Sequence, residues 1–207
     1  MRAWNIAHRG GAALMPENTL TAFGRAMSLG ADGAELDVQL CADGVAVVHH
    51  DFRLMAGVAR KDGVWLTQPG PRIKDLTLTE LRRFDVGSPQ RGSAYAANHP
   101  LVTPVDGALV PTLAEVAALA SPGFRLMVEL KCDTSTDSAD PRALADAAFA
   151  VAGQGAIYVG FDWRALARII ELGGVCWFTT DRLKGDARPV IDLIAAAGGQ
   201  GWFPNFP

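Results

Sequence analysis

Residues 33–50 read GAELDVQLCADGVAVVHH, and this stretch sets the expectation for the whole chain. Its first eight residues have a strand pattern, in which Glu35 and Asp37 alternate with the apolar residues Leu36 and Val38. Because successive side chains of a strand point to opposite faces, both carboxylates should share one face and the apolar pair the other. Inward carboxylates are costly unless they bind a positive charge. The stretch therefore predicts a strand that carries a binding site.

The same stretch continues through Asp43-Gly44, a turn signal, into a second apolar run that ends at His49-His50. If Asp43 and Gly44 form a two-residue hairpin loop, Asp37 lies opposite His50, and His49 points to the other face. Such a hairpin conflicts with a strictly parallel sheet, so the local topology stays open at this point. The pattern still predicts that a histidine lies beside the acids.

Outside this stretch, β-rich runs alternate with helical patterns, which is typical of βα units around a parallel sheet or barrel. The predicted strands are 5–8, 33–40, 45–50, 124–131, 157–161, 175–179 and one that starts at 201. Helices are predicted after an N-cap at Asn18 or Thr19, and from about 77, 112, 141, 163 and 189. We predict a single α/β domain over 1–207, a (β/α)8 TIM-type barrel. Seven strands do not close such a barrel, so we expect this chain to lack its C-terminal strand and helix.

The alternation fails between about 52 and 110, where Gly, Pro, Arg and aromatic residues follow no clear period. Long irregular segments inside a domain are usually functional, so we predict an inserted subdomain that caps one end of the barrel. The alternative is a disordered surface loop. Thr77 and Glu80 have capping-box spacing and predict a short helix within the segment, and Thr112 and Glu115 predict the helix that follows it.

Composition narrows the function classes. The chain has 207 residues, 49% of them apolar, and a net charge of −3, which disfavours binding to nucleic acid. No apolar run is long enough to span a membrane, and the N-terminus does not resemble a secretory signal, so we expect a cytoplasmic protein. The three widely spaced cysteines, Cys41, Cys132 and Cys176, are expected to be reduced. The oligomeric state stays open.

A later strand repeats the pattern of inward charges at Glu129 and Lys131. With Glu35 and Asp37, Glu129 completes a set of three carboxylates, and such hard oxygen ligands suit Mg²⁺ or Ca²⁺ better than Zn²⁺. Lys131 could add a point charge that faces an anionic substrate. The alternative is a pair of structural Glu–Lys bridges.

His8 and His50 both end predicted strands, where the active-site groups of barrels collect, and imidazoles suit general acid and base roles. The alternative is an ordinary core or surface histidine. Arg9 precedes a glycine-rich turn and is well placed to hold a phosphate by two hydrogen bonds, unless it forms a surface salt bridge. Glu17 and Asn18 are expected only to cap the first helix.

Taken together, the motifs resemble the glycerophosphodiester phosphodiesterase family. In chain order they are His8-Arg9-Gly10, Pro16-Glu17-Asn18-Thr19, Gly33-Ala34-Glu35-Leu36-Asp37-Val38, Asp43-Gly44, His50-Asp51 and Glu129-Leu130-Lys131, with Phe161-Asp162-Trp163 also similar. The match runs from Ile6 to the end of the chain, and the ordered set is far more specific than any single motif. The Trp-Thr motif of the family's last barrel strand is absent.

The resemblance implies a barrel with a subdomain inserted after the His50-Asp51 strand, and hydrolysis of small glycerophosphodiesters to glycerol 3-phosphate and an alcohol such as choline or ethanolamine. The site residues it implies are Glu35, Asp37 and Glu129 for a divalent cation, Mg²⁺ or Ca²⁺, His8 and His50 for acid–base catalysis, and Arg9 and Lys131 for the phosphate. One alternative is a related barrel phospholipase that acts on intact phospholipids, with an apolar rim between Trp65 and Tyr95. Another is a non-catalytic module that binds glycerol phosphates.

Overall fold

A computed structural model describes residues 2–181, 183 and 185–204, and a seven-stranded sheet forms its centre. The strands in chain order are β1 (Ile6–Ala7), β2 (Gly33–Leu40), β3 (Ala46–Val48), β4 (Arg60–Lys61), β5 (Val64–Trp65), β6 (Arg125–Leu130), β7 (Ile157–Gly160), β8 (Val175–Thr180) and β9 (Gly201–Pro204). The spatial order is β1-β2-β6-β7-β8-β9, and every pair in that series is parallel. Strands β4 and β5 form a separate hairpin. Within the described residues, β1 and β9 are the edges of this path.

The helices are α1 (Leu20–Ser28), α2 (Leu78–Leu81), α3 (Ala94–Asn98), α4 (Leu113–Leu119), α5 (Pro141–Ala152), α6 (Trp163–Glu171) and α7 (Arg188–Ala196). Helix α1 begins after Thr19, whose Oγ1 accepts a hydrogen bond from the backbone N–H of Ala22 at 3.2 Å. Thr19, not Asn18, is therefore the N-cap. The cap leaves Asn18 free for another role.

The two faces of β2 and β6 differ as strand parity predicts. Leu36 and Val38 of β2, and Val128 and Leu130 of β6, are fully buried against the helix layer. Helices α1, α4, α5 and α6 contribute buried residues to the same cluster. The acidic residues of these strands occupy the alternate positions. The apolar face therefore holds the sheet against its helices, and the other face is left for the site.

Strand β3 is antiparallel to β2, so the predicted hairpin is present, but its predicted register is wrong by one residue. Val38 pairs with Val48, and the N–H of His49 donates to the carbonyl of Asp37 at 2.9 Å. The loop has three residues instead of two, and it ends at Gly44 in the left-handed conformation, with φ 74°. Asp37 therefore lies opposite His49, and His50 lies beyond the end of β3.

The segment between about 52 and 110 is folded in the structure. It contains the β4–β5 hairpin and the short helices α2 and α3. A second apolar cluster includes its residues Leu54, Ile73 and Leu81 together with Val47 of β3. The capping boxes predicted for α2 and α4 are both present. This packing argues against a disordered surface loop.

The three cysteines agree with the expectation that they are reduced. Cys41, Cys132 and Cys176 are buried and free, and burial raises the pKa of each thiol, to about 11 for Cys41 and about 12 for the others. None of the helices within the described ranges has the length and apolar character needed to cross a bilayer.

Candidate active site and metal centre

Three carboxylates meet where β2 and β6 run side by side. The parallel register places Asp37 directly beside Glu129, and Glu35 lies two residues earlier on the same face of β2. One oxygen of each residue lies within 4.8 Å of the other two. Glu35 and Asp37 are almost completely buried. The structure therefore brings the three predicted acids together, and we call this group the acid cluster.

The acid cluster has the chemistry of a cation site. Glu35 Oε1 and Asp37 Oδ1 are buried and accept no hydrogen bond from any described residue. Burial, followed by the carboxylates of Asp37 and Glu129, raises the pKa of Glu35 well above its usual range. A divalent cation would offset this repulsion and give the two oxygens a partner. The residues present therefore fit such an ion.

Two basic side chains flank the acid cluster. Lys131 Nζ lies 2.9 Å from Glu129 Oε1 and 3.7 Å from Asp37 Oδ1, so the Glu–Lys bridge considered above is present beside the other acids. Burial alone would lower the pKa of Lys131, but the carboxylates of Glu129 and Asp37 outweigh it and raise the pKa. Arg9 Nε lies 3.3 Å from Asp37 Oδ2, and the Arg9 side chain is only 19% exposed. Arg9 is therefore part of the site and not a surface salt bridge.

The backbone of Arg9 is held in an uncommon conformation. Arg9 lies in a 3₁₀ turn over His8–Gly10 and has a left-handed φ of 51°. Its N–H donates to Glu35 Oε2 at 3.0 Å. Gly10 follows with φ 76°, and a Cβ at this position would lie 2.9 Å from Phe23 Cδ1 of α1. The close approach to α1 explains the glycine and places the turn against the acids.

His8 and His50 reach one cleft from different elements. His8 opens the 3₁₀ turn after β1, and its Nε2 lies 3.8 Å from Glu35 Oε2. His50 Nδ1 is 2.7 Å from Asp51 Oδ1, and this hydrogen bond lowers the pKa of Asp51. Both histidines line a cleft of about 480 Å³ that also contains Glu35 and Glu129. The structure thus brings together every site residue that the sequence predicts. His50 reaches the cleft from beyond the end of β3, and not from the predicted position opposite Asp37.

Glu17 and Asn18 contact the site, so the expectation that they only cap α1 is wrong. Asn18 has a left-handed φ of 56°; its Nδ2 donates to Asp37 Oδ2 at 2.8 Å, and its Oδ1 accepts from the Asp37 N–H at 3.3 Å. Glu17 Oε1 accepts from Arg9 Nη1 at 3.0 Å. The sequence did contain a signal for this role. Thr19 can supply the N-cap of α1 by itself, which leaves Asn18 available for another contact.

A row of inward-facing residues lies one step beyond the acid cluster along the strands. Glu129 pairs with Val159, and two residues further along their strands lie Lys131 and Phe161. Thr179 pairs with Phe203 in the same row, and all four line the cleft. Thr179 is 4% exposed, and its Oγ1 has no hydrogen-bond partner in the described part of the chain. Sequence reasoning predicted Lys131 but gave no site role to Phe161, Thr179 or Phe203, because it does not give the register between strands.

A sequence model described as the glycerophosphoryl diester phosphodiesterase family matches residues 8–171. This range is most of the chain and includes every predicted site residue. The chain belongs to this family. The family assignment made from the motifs is thereby confirmed.

Curated relatives from bacteria and mammals match part of the chain. A glycerophosphodiester phosphodiesterase from Caldanaerobacter subterraneus is 39% identical over 132 residues, which are 63% of this chain and 46% of the relative. Glycerophosphodiester phosphodiesterase 1 of Bos taurus is 38% identical over 113 residues, which are 55% of this chain and 29% of the relative. The chain thus spans less than half the length of these relatives.

Solved structures of the family have the same architecture. A Silicibacter pomeroyi protein that bears the family name aligns with a TM-score of 0.87 and 29% identity, over 96% of this chain and 73% of that chain. An Oleispira antarctica phosphodiesterase, solved in complex with the product sn-glycerol-3-phosphate, aligns with a TM-score of 0.72 and 24% identity, over the same shares. These neighbours are TIM barrels, so the predicted fold class is confirmed, and the described sheet corresponds to part of such a barrel.

Proposed function

We propose that this chain supplies the catalytic site of a phosphodiesterase that hydrolyses glycerophosphodiesters to glycerol 3-phosphate and an alcohol. The observation that carries the proposal is the convergence, in one cleft, of the acid cluster, two basic side chains and two histidines. Family membership and the names of the relatives support the reaction class. The bound product of the Oleispira antarctica protein supports glycerol 3-phosphate as one product.

The proposed cofactor is Mg²⁺ or Ca²⁺, held by Glu35, Asp37 and Glu129. Three clustered carboxylates with free oxygens support a hard divalent cation. When bound, such an ion neutralises negative charge on a phosphate and stabilises the charge that builds during phosphoryl transfer. Arg9 and Lys131 would bind the phosphate oxygens from the protein side, because both remain cationic beside the acids.

His8 and His50 are proposed as the acid–base pair. One imidazole would take a proton from the attacking oxygen, which belongs to water or to a glycerol hydroxyl. Attack by the glycerol hydroxyl would form a cyclic glycerol phosphate, which water would then open to glycerol 3-phosphate. As the phosphorus–oxygen bond to the alcohol breaks, the other imidazole would donate a proton to the departing oxygen. The hydrogen bond between His50 and Asp51 supports this role, since it fixes the orientation of the imidazole ring.

We also propose that residues 52–110 form an inserted subdomain over the cleft, within a single barrel domain that includes the rest of 1–207. The second apolar cluster supports this proposal, since many of its buried residues come from the segment itself. Contact with the site supports its position, since Tyr95 Oη donates to Glu17 Oε2 at 3.0 Å.

The phospholipase alternative is weaker in the structure than in the sequence. It needs exposed aromatic side chains that could enter a bilayer. Trp65 donates its Nε1–H to the carbonyl of Ser88 at 2.8 Å, and Tyr95 is turned toward Glu17. Neither aromatic residue that marks the ends of the suggested rim is fully exposed. A small soluble diester is therefore the preferred substrate.

The decisive experiment measures glycerol 3-phosphate released from glycerophosphocholine and glycerophosphoethanolamine, first with EDTA and then with Mg²⁺ or Ca²⁺ restored. We expect turnover only with metal. Glu129→Gln should abolish the response to metal, whereas Glu115→Gln, at the cap of α4 and outside the cleft, should preserve it. Turnover that persists in EDTA would contradict the metal assignment.

The binding-module alternative needs a separate measurement. His8→Ala should lower turnover by roughly 10²–10⁴-fold while glycerol 3-phosphate still binds. Calorimetric titration of the variant with glycerol 3-phosphate and Mg²⁺ measures the binding. If the wild-type protein binds the product but hydrolyses no diester under any metal condition, the enzyme proposal fails and the binding module is favoured.

A further inference from the structure

Helix α3 of the inserted segment reaches the loop that carries the predicted phosphate ligand. Tyr95 lies on α3 and is half-buried, and its Oη donates to Glu17 Oε2 at 3.0 Å. A second link lies close by, where the N–H of Thr103 donates to the carbonyl of Leu14 at 2.9 Å. Two parts of the chain separated by 78 positions therefore meet at Glu17, which contacts Arg9.

The two oxygens of Glu17 have different partners. Oε2 accepts from Tyr95, and Oε1 accepts from Arg9 Nη1 at 3.0 Å. On the other side of the guanidinium, Nε lies 3.3 Å from Asp37 Oδ2. Arg9 is thus held between two carboxylates. The guanidinium is hydrogen-bonded to Glu17 through Nη1 and paired by charge with Asp37 at Nε, so its remaining N–H groups are left for a phosphate, which planar guanidinium groups bind in a bidentate way.

Tyr95 is itself held in place. Its ring stacks on His99 with centroids 4.0 Å apart and planes 15° apart. His99 Nδ1 lies 2.9 Å from the Tyr95 carbonyl oxygen, which fixes the imidazole on the same turn. Burial and the Glu17 carboxylate raise the pKa of the phenol, so the hydroxyl keeps its proton and donates to Glu17. These contacts make Tyr95 a rigid support and not a loose surface residue.

We propose that Tyr95 is a positioning residue, whose hydroxyl holds Glu17 and, through Glu17, the guanidinium of Arg9 in the orientation that binds phosphate. The inference rests on the proposed function, since it assumes that Arg9 binds the phosphate of the substrate. Without the hydroxyl, Glu17 Oε2 loses this donor, and its carboxylate can rotate onto the Arg9 fork. The donors that a phosphate needs are then occupied or turned away. The inserted segment therefore controls the affinity of the site for phosphate.

The test is Tyr95→Phe, measured by calorimetric titration of the Mg²⁺-loaded protein with glycerol 3-phosphate. We expect about tenfold weaker binding, because one hydrogen bond to a charged group is lost and its effect is passed on through Glu17. KM for a glycerophosphodiester should rise by a similar factor, with a smaller change in kcat. Glu17→Gln, which keeps the size of the side chain, should weaken binding in the same way.

The matched control is Tyr158→Phe. Tyr158 is the other tyrosine of the chain, and its buried hydroxyl donates to the carbonyl of Gly153 at 2.9 Å, away from the cleft. This variant should lose thermal stability without weaker binding of glycerol 3-phosphate. Unchanged binding in Tyr95→Phe, or equal weakening in both tyrosine variants, would overturn the proposal.

A double-mutant cycle with Arg9→Lys separates positioning from a general structural effect. If Tyr95 acts through Arg9, the losses of affinity in Tyr95→Phe and Arg9→Lys should not add in the double variant. Additive losses would overturn the proposal. A wild-type protein without turnover would contradict the proposed function instead, whereas normal wild-type turnover with an unaffected Tyr95→Phe contradicts only the role of Tyr95.

Discussion

Replacing Asn18 with alanine should weaken divalent-cation binding, because the Asn18 amide orients Asp37 from behind. Nδ2 donates to Asp37 Oδ2 at 2.8 Å, and Oδ1 accepts from the Asp37 N–H at 3.3 Å. Asn18 is 3% exposed, so water cannot readily replace either bond. Partners that orient a ligand typically contribute ~10–100-fold to metal affinity. We expect a loss within that range.

The cost in folding stability follows from the same contacts. The bond to the Asp37 carboxylate is worth ~1.5–3 kcal/mol and the longer bond to its N–H ~1 kcal/mol. Alanine at the left-handed φ of 56° adds ~1–2 kcal/mol of backbone strain. The sum is a destabilisation of ~3.5–6 kcal/mol. Asn18→Gly loses the same two bonds without the strain, so it should be less destabilised than Asn18→Ala but have equally weak metal binding.

Two measurements check the prediction: calorimetric titration with Mg²⁺, and turnover as a function of Mg²⁺ concentration. Excess Mg²⁺ should restore most of the activity of Asn18→Gly. Thr19→Val is the control, since Thr19 is buried and its hydroxyl forms two hydrogen bonds, with the backbone of Pro16 and Ala22 and not with the acid cluster. This control variant should lose stability but bind Mg²⁺ as tightly as the wild type. If Asn18→Gly binds Mg²⁺ as tightly as the wild type, the proposed role of the amide is refuted.

Three further outcomes follow from individual contacts. Gly10→Ala should destabilise the fold by ~1–3 kcal/mol in urea unfolding, since its φ is 76° and its Cβ would lie 2.9 Å from Phe23. An unchanged unfolding midpoint would contradict this prediction. Burial lowers the pKa of His49 from 6.5, so the unfolded state binds a proton at a pH where the folded state does not. The melting temperature should therefore fall as pH drops below about 6.5, and it should fall less in His49→Gln. Thr179→Val should leave stability nearly unchanged, since its hydroxyl has no partner among the described residues. It should raise KM severalfold if the hydroxyl contacts the substrate in the cleft that it lines. Destabilisation with a normal KM would exclude that contact.

Local rules predicted the elements well. Strand parity placed the acids of β2 and β6 on one face, and both capping boxes marked real helix starts. The family motifs identified a set of residues that the structure gathers in one cleft. These rules work because side-chain direction in a strand and hydrogen bonding at a helix start depend on a few neighbouring residues.

The hairpin after β2 shows where local rules stop. A turn at Asp43 and Gly44 was predictable, but a loop of two residues and one of three differ by a single register step. That step decides whether His50, as predicted, or His49, as observed, lies opposite Asp37. The choice depends on how β3 packs against the inserted segment, in the apolar cluster that contains Val47, Leu54 and Ile73.

By itself, the amino-acid sequence determined the fold class, the family and the identity of the charged residues, because each follows from side-chain period or from a short motif. Only the tertiary structure decided how those residues are supported: Asn18 behind Asp37, Tyr95 behind Glu17 and Arg9, and Thr179 in the row of Lys131. These contacts join segments far apart in the chain, so they depend on strand register and on the packing of the inserted segment. Neither is encoded in a local pattern.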